Sequence, residues 1–184
     1  MDAPRWRKIS EEIRFENPWW TYKRDRVVLP SGTQGEYHYV ETPGSVMIVP
    51  IAADGCLVLV RQYRYLNARN SVEFPGGGIP RGLEASQAAA KELREEAGIE
   101  AAAIHELGVF NPYNGVTNEL CHVFVASGHR SVPPEPEESE DCQAFSVTVP
   151  ELSDMIARGE IWDGMTLAAW SMFTHSPHFA TPLP

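Results

Sequence analysis

Along the first fifty residues, apolar positions come in short runs separated by turn formers at Asn17-Pro18, Pro30-Ser31-Gly32 and Pro43-Gly44. Between these breaks, residues 19–29, 37–42 and 45–52 read as strands. Val46-Met47-Ile48-Val49 and Cys56-Leu57-Val58-Leu59-Val60 are almost wholly apolar, the pattern of strands covered on both faces. Asp54-Gly55 between them predicts a hairpin. A short strand over 72–74 runs into Pro75-Gly76-Gly77-Gly78, where no regular element is expected to continue.

The period then changes. Residues 85–97 are Ala, Ser, Gln, Lys, Glu, Leu and Arg, nearly all good helix formers, and Gly98 stands where a helix ends. Residues 107–110 and 120–126 read again as strands, 132–141 as an acidic, proline-bearing loop, and 144–149 as a last strand. Pro150 opens a helix ending near Gly159, and Asp163-Gly164 opens an apolar helix through Phe173. The expected class is α/β (α+β): a mixed sheet with helices packed on it. A small antiparallel β extension over 1–44 precedes a main domain over 45–184.

Length and charge narrow this further. At 184 residues the chain is one ordinary domain, and 43% hydrophobic with 22% charged residues is a globular mix. Fifteen basic against twenty-five acidic residues give −10, which disfavours docking on nucleic-acid backbones. A small anionic substrate held through a divalent cation stays open, since the metal inverts the local sign. Cys56, Cys121 and Cys142 are odd in number and widely spaced, so they read as thiols of a cytoplasmic protein. No apolar stretch approaches the roughly 20 residues of a membrane helix.

The chemistry concentrates in Glu73-Phe-Pro-Gly-Gly-Gly-Ile-Pro-Arg-Gly-Leu-Glu84 and the helix Lys91-Glu-Leu-Arg-Glu-Glu-Ala-Gly98. Helical spacing puts Glu92, Glu95 and Glu96 on one side near the helix C-terminus, where they repel one another and meet the negative end of the dipole. A cation would relieve this, and oxygen-only ligation favours Mg²⁺ or Mn²⁺. A solvated helix end with Lys91 and Arg94 as partners is the plainer alternative. The upstream glycines favour the metal reading, because they let backbone approach the helix closely. The histidines lack metal spacing, and Cys121 and His122 point to opposite faces of a strand.

These residues resemble the Nudix hydrolases, whose box runs G-x5-E-x7-R-E-U-x-E-E-x-G-U, with U a bulky apolar residue. The helical half matches from Glu92 to Ile99, and Gly77 occupies the glycine slot. Leu83 stands in the first glutamate slot and Lys91 in the arginine slot, with Glu84 one residue beyond. The resemblance implies a Nudix α/β/α sandwich in which Glu92 and Glu96 ligate the metal, Glu95 assists, and the Gly76 carbonyl completes the shell. Arg61-Gln-Tyr-Arg64 followed by Glu73-Phe-Pro-Gly-Gly77 resembles the ADP-ribose pyrophosphatase branch. There, the arginine matching Arg64 contacts the diphosphate; pairing with Glu73 is the structural alternative, and both can hold.

The branch resemblance also implies substrate roles for Glu73 and Glu119, the latter in a loop similar to S-P-G-x-x-x-E. It implies a general base on the acidic loop at Glu140, with Glu138 and Glu92 as competitors. For the aromatic N-terminal segment (Trp19, Trp20, Tyr22, Tyr37, Tyr39) the branch resemblance implies a homodimer in which aromatic faces reach the base; one buried strand face is the plainer reading of Tyr37 and Tyr39. The implied activity is metal-dependent hydrolysis of a nucleoside diphosphate linked to another moiety, ADP-ribose or a nucleotide sugar. A non-catalytic nucleotide sensor and a dinucleoside-polyphosphate or triphosphate hydrolase are the alternatives.

Overall fold

The computed structural model describes residues 5–133 and 142–180. The N-terminal strands β1 (Arg7–Glu16), β2 (Thr21–Val28) and β3 (Gln34–Glu41) form a three-stranded antiparallel sheet in that order. β1 escapes the sequence reading because every residue in it is exposed, so no face shows a period of two.

The main body begins with β4 (Ser45–Pro50) and β5 (Leu57–Arg64). Asp54-Gly55 does turn the chain, with Gly55 N–H donating to Ala52 C=O at 2.9 Å. The expected hairpin does not follow, because the two strands share only the bridge Ile51–Leu57 and then enter different sheets. β5 lies between β6 (Arg69–Glu73) and β10 (Gln143–Val147) in an antiparallel sheet. β4 lies between β7 (Gly76–Gly78) and β9 (Cys121–Ser131), parallel to β9, and β8 (Ile99–Phe110) completes this mixed sheet.

Two of these strands correct the sequence reading. The triple glycine was expected to break regular structure, yet it pairs with β4 through Ser45–Gly78, Val46–Gly77 and Met47–Gly76. β8 begins at Ile99, well before residue 107, because pairing with β9 overrides the poor strand propensity of Ala101, Ala102 and Ala103.

β4 is covered on both faces, as its apolar run implies. Met47 and Val49 join Leu57, Leu59, Val123, Leu152 and Phe173 in one core cluster, while Val46 and Ile48 join Ala88, Ala89 and Leu93 in another. The second cluster seats helix α1 (Ala85–Ala97); the first is closed by α2 (Val149–Ala157) and α3 (Gly164–Thr174). Helices thus flank the sheets on both sides. Among the described residues no helix is long and apolar enough to cross a membrane.

Candidate active site

Helix α1 carries the carboxylates, and its limits are set locally. Glu84 caps its start: its backbone N–H donates to Gln87 Oε1 at 3.3 Å, and its own side chain is exposed. Gly98 ends the helix in a left-handed conformation (φ 62°) with its N–H on Arg94 C=O. The inward face is Ala88, Ala89, Glu92, Leu93 and Glu96. Two glutamates therefore follow the apolar stripe into the body, leaving Glu92 8% and Glu96 4% exposed.

Two glycines of β7 make room for them. A Cβ on Gly77 would sit 2.6 Å from Glu92 Oε1, and one on Gly76 would press into the Val46 carbonyl and the Met47 thioether. Only bare backbone fits between β4 and the carboxylates. Gly76 N–H donates to Glu96 Oε2 at 2.9 Å, and the Cys142 thiol lies 3.6 Å from Glu96 Oε1. Cys142 had no motif to announce it; it reaches Glu96 only because β10 pairs with β5.

Glu95 pairs with Lys91, one turn back on the same helix, at 2.5 Å. Lys91 in the arginine slot thus holds Glu95 one turn along the same helix, and Leu83 in the glutamate slot packs against the apolar cluster under α1. Among the described residues no three His, Cys, Asp or Glu side chains gather to hold a metal by themselves. Two buried carboxylates beside a backbone cradle nevertheless fit a hard divalent ion such as Mg²⁺, which takes few protein ligands and completes its shell with water and substrate phosphate.

Glu92 forms one wall of a cleft of about 390 Å³ whose other lining includes Gly77, Gly78, Lys91, Arg81, Trp19 and Glu119. Glu119 is fixed at the far side by Ser45 Oγ, which donates at 2.6 Å, and by Thr117 Oγ1 on its N–H at 2.8 Å. Sequence reasoning missed Ser45, because it comes beside Glu119 only through the parallel pairing Ser45–Cys121. Trp19, on the β1–β2 turn, brings an aromatic face to the opening.

Arg64 and Glu73 are brought together but not among the lining side chains. Arg64 Nε donates to Glu73 Oε1 at 2.8 Å, Nη2 donates to Oε2, and Gln62 Nε2 reaches Oε2 at 3.3 Å. Glu73 is 3% exposed, so this forked pair neutralises a buried charge, and the carboxylate raises the Arg64 pKa further. Cys121 is buried, which pushes its thiol up to about 11 and favours the protonated form. Glu138 and Glu140 lie outside the described residues.

Comparison with known proteins identifies the family. Residues 41–168 match the NUDIX domain and residues 6–40 match the nucleoside diphosphate sugar hydrolase N-terminal domain. The chain belongs to the Nudix family, whose hydrolases generally use divalent metals. It is 30% identical over 180 residues to an ADP-ribose pyrophosphatase of Mycobacterium tuberculosis, covering 96% of this chain and 87% of that one. It is 29% identical over 145 residues to an ADP-ribose pyrophosphatase of Bacillus subtilis, covering 78% of each. The solved structure of an ADP compounds hydrolase superposes with a TM-score of 0.82 at 21% identity, covering 94% of both chains.

Proposed function

We infer that the protein is a Nudix pyrophosphatase that hydrolyses a nucleoside diphosphate linked to a sugar, releasing a nucleoside monophosphate and a sugar phosphate. ADP-ribose heads the substrates. The observation that carries this reading is the burial of Glu92 and Glu96 against the glycine backbone of β7, with Glu92 at the wall of a cleft sized for a small ligand. The matched N-terminal domain and the similarity to ADP-ribose pyrophosphatases support the same reading.

Glu92 and Glu96 would hold Mg²⁺ or Mn²⁺, with the Gly76 carbonyl and Glu95 as further oxygen donors. A cation held there would supply positive charge against the diphosphate and lower the pKa of a water bound to it. The chain's own residues do the positioning. Gly76 N–H orients Glu96, Ser45 holds Glu119 across the cleft, and Trp19 offers a face to the nucleobase. Glu140 is the proposed general base, and the Arg64–Glu73 pair stiffens the end of β5 beneath the site.

AMP release from ADP-ribose and a panel of nucleotide sugars, with Mg²⁺ or Mn²⁺, tests this. Glu92→Gln and Glu96→Gln are expected to lower turnover by about a hundredfold or more, as removal of charge aimed at the reacting phosphate does. Tight nucleotide binding without turnover on any substrate would instead make the protein a nucleotide sensor.

We also propose a cytoplasmic homodimer. No disulfide links Cys56, Cys121 and Cys142, in keeping with a reducing compartment. Ile9, Ile13 and Phe15 of β1 stand exposed, as do Trp6 before it and Trp19 after it, apolar surface suited to a second copy. A mass measurement giving a monomer at micromolar concentration would refute the dimer.

A further inference from the structure

The cleft holds two carboxylates, and its natural ligand on the reading above is itself an anion. A positive side chain at the cleft would therefore add to what any bound cation supplies. Two basic side chains line the cleft, Lys91 and Arg81. Lys91 is engaged by Glu95 at 2.5 Å. Arg64, the residue that family resemblance assigns to the diphosphate, is forked onto buried Glu73 and is not among the lining side chains.

Arg81 is placed differently. It sits in the loop between β7 and α1 and lines both the cleft and a neighbouring chamber of about 390 Å³, which is bounded by Glu41, Thr42, Pro43, Gly82 and Asn118. Thr42 and Pro43 also line both, so Arg81 marks the passage from one to the other. Its side chain is 61% exposed, and the carboxylate it meets, Glu16 on β1, stands 3.9 Å away and is equally open to water. Such an exposed, loose pair contributes little and exchanges readily for a better anion.

We propose that Arg81 is a substrate-binding residue that contacts the diphosphate, in the position where the nucleotide half and the sugar half of the ligand separate. A planar fork of donors suits two oxygens of one phosphate, and its exchange from Glu16 to phosphate couples the ligand to the N-terminal sheet. The proposal rests on the pyrophosphatase reading for its ligand class. It assigns the chain's own phosphate contact to Arg81 and not to Arg64.

Titration calorimetry of ADP and of adenosine into the full chain, wild type against Arg81→Gln and Arg81→Lys, decides it without requiring turnover. ADP binding is expected to weaken roughly tenfold in Arg81→Gln, the size of a lost charge-assisted contact, and to recover in part in Arg81→Lys. Adenosine, which lacks phosphate, is expected to bind all three alike. In parallel, KM for ADP-ribose should rise more than kcat falls. Equal ADP affinity in wild type and Arg81→Gln, or equal weakening of ADP and adenosine, would overturn the proposal. A wild type that binds ADP but hydrolyses no nucleotide sugar would fail the pyrophosphatase reading while leaving the Arg81 comparison intact.

Discussion

On the N-terminal sheet, nearly every charge is answered by another side chain of opposite sign. Lys23 reaches Glu41 at 2.6 Å and Glu11 at 3.0 Å, Lys8 reaches Asp25 at 2.9 Å, and Arg24 bridges Glu12 and Glu36 across the strands. At the end of α1 the arrangement is reversed. Glu92 and Glu96 are more deeply buried than most of those charges, and the glycine backbone of β7 and the Cys142 thiol lie against them. Charges paired side chain to side chain complete a surface; buried carboxylates set against bare backbone make a place suited to a hard cation. Stability belongs to the first arrangement and chemistry to the second.

Substituting the two glycines of β7 tests that contrast most strongly. Gly77→Ala puts a methyl 2.6 Å from Glu92 Oε1, so the carboxylate must move by an ångström or so. Metal-dependent turnover should fall by about a hundredfold, the usual cost of a misplacement of that size. The thermal midpoint should move little, because the Glu92 side chain can yield. Gly76→Ala presses on the Val46 carbonyl, which is strand backbone and cannot yield alone. It should destabilise the fold by about 1–3 kcal/mol, the range of overpacking. Denaturant unfolding beside steady-state assays separates the two. If Gly77→Ala lost stability and kept its activity, the site would not depend on the Glu92 position.

These same residues show how far sequence reasoning reaches. α1, its Gly98 stop and its inward glutamates were legible because spacing on a helix is local, and each of those features lies within one run of the chain. The apolar runs of β4 and β5 were legible as strands buried on both faces. Their assignment to separate sheets was not, since a turn such as Asp54-Gly55 fixes a reversal of direction but not the pairing beyond it.

β7 was hidden for a related reason. Glycines weaken a strand in isolation, and only the approach of Glu92 and of the β4 backbone makes bare glycine necessary there. Ser45 and Cys142 were invisible as site residues because they meet Glu119 and Glu96 through pairings distant in sequence. Leu83 and Lys91, departures from the family box, find physical uses: one fills the core under α1, the other holds Glu95.

The smallest expected effect lies on the other side of the comparison and concerns acid. Lys8 and Lys23 hold the Glu11 carboxyl at about 2, and Arg14 and Arg24 lower that of Glu12. A carboxyl depressed in the folded state stabilises above its unfolded value, here 4.5, and that stabilisation disappears as pH falls toward the folded value. Both groups are exposed, so the effect is local and screened by salt. Burial lowers the pKa of His129 on β9, so its protonation strains the main body already as pH falls below 6.5. The two regions should therefore respond in different windows. Amide hydrogen exchange across β1–β2 should hold steady from 6.5 to 4.5 and lose protection below 4.5, and added salt should diminish the change. β1 amides that stay protected down to the folded value of about 2 would show that its register is held by the strand hydrogen bonds alone and that the ion pairs contribute nothing to it.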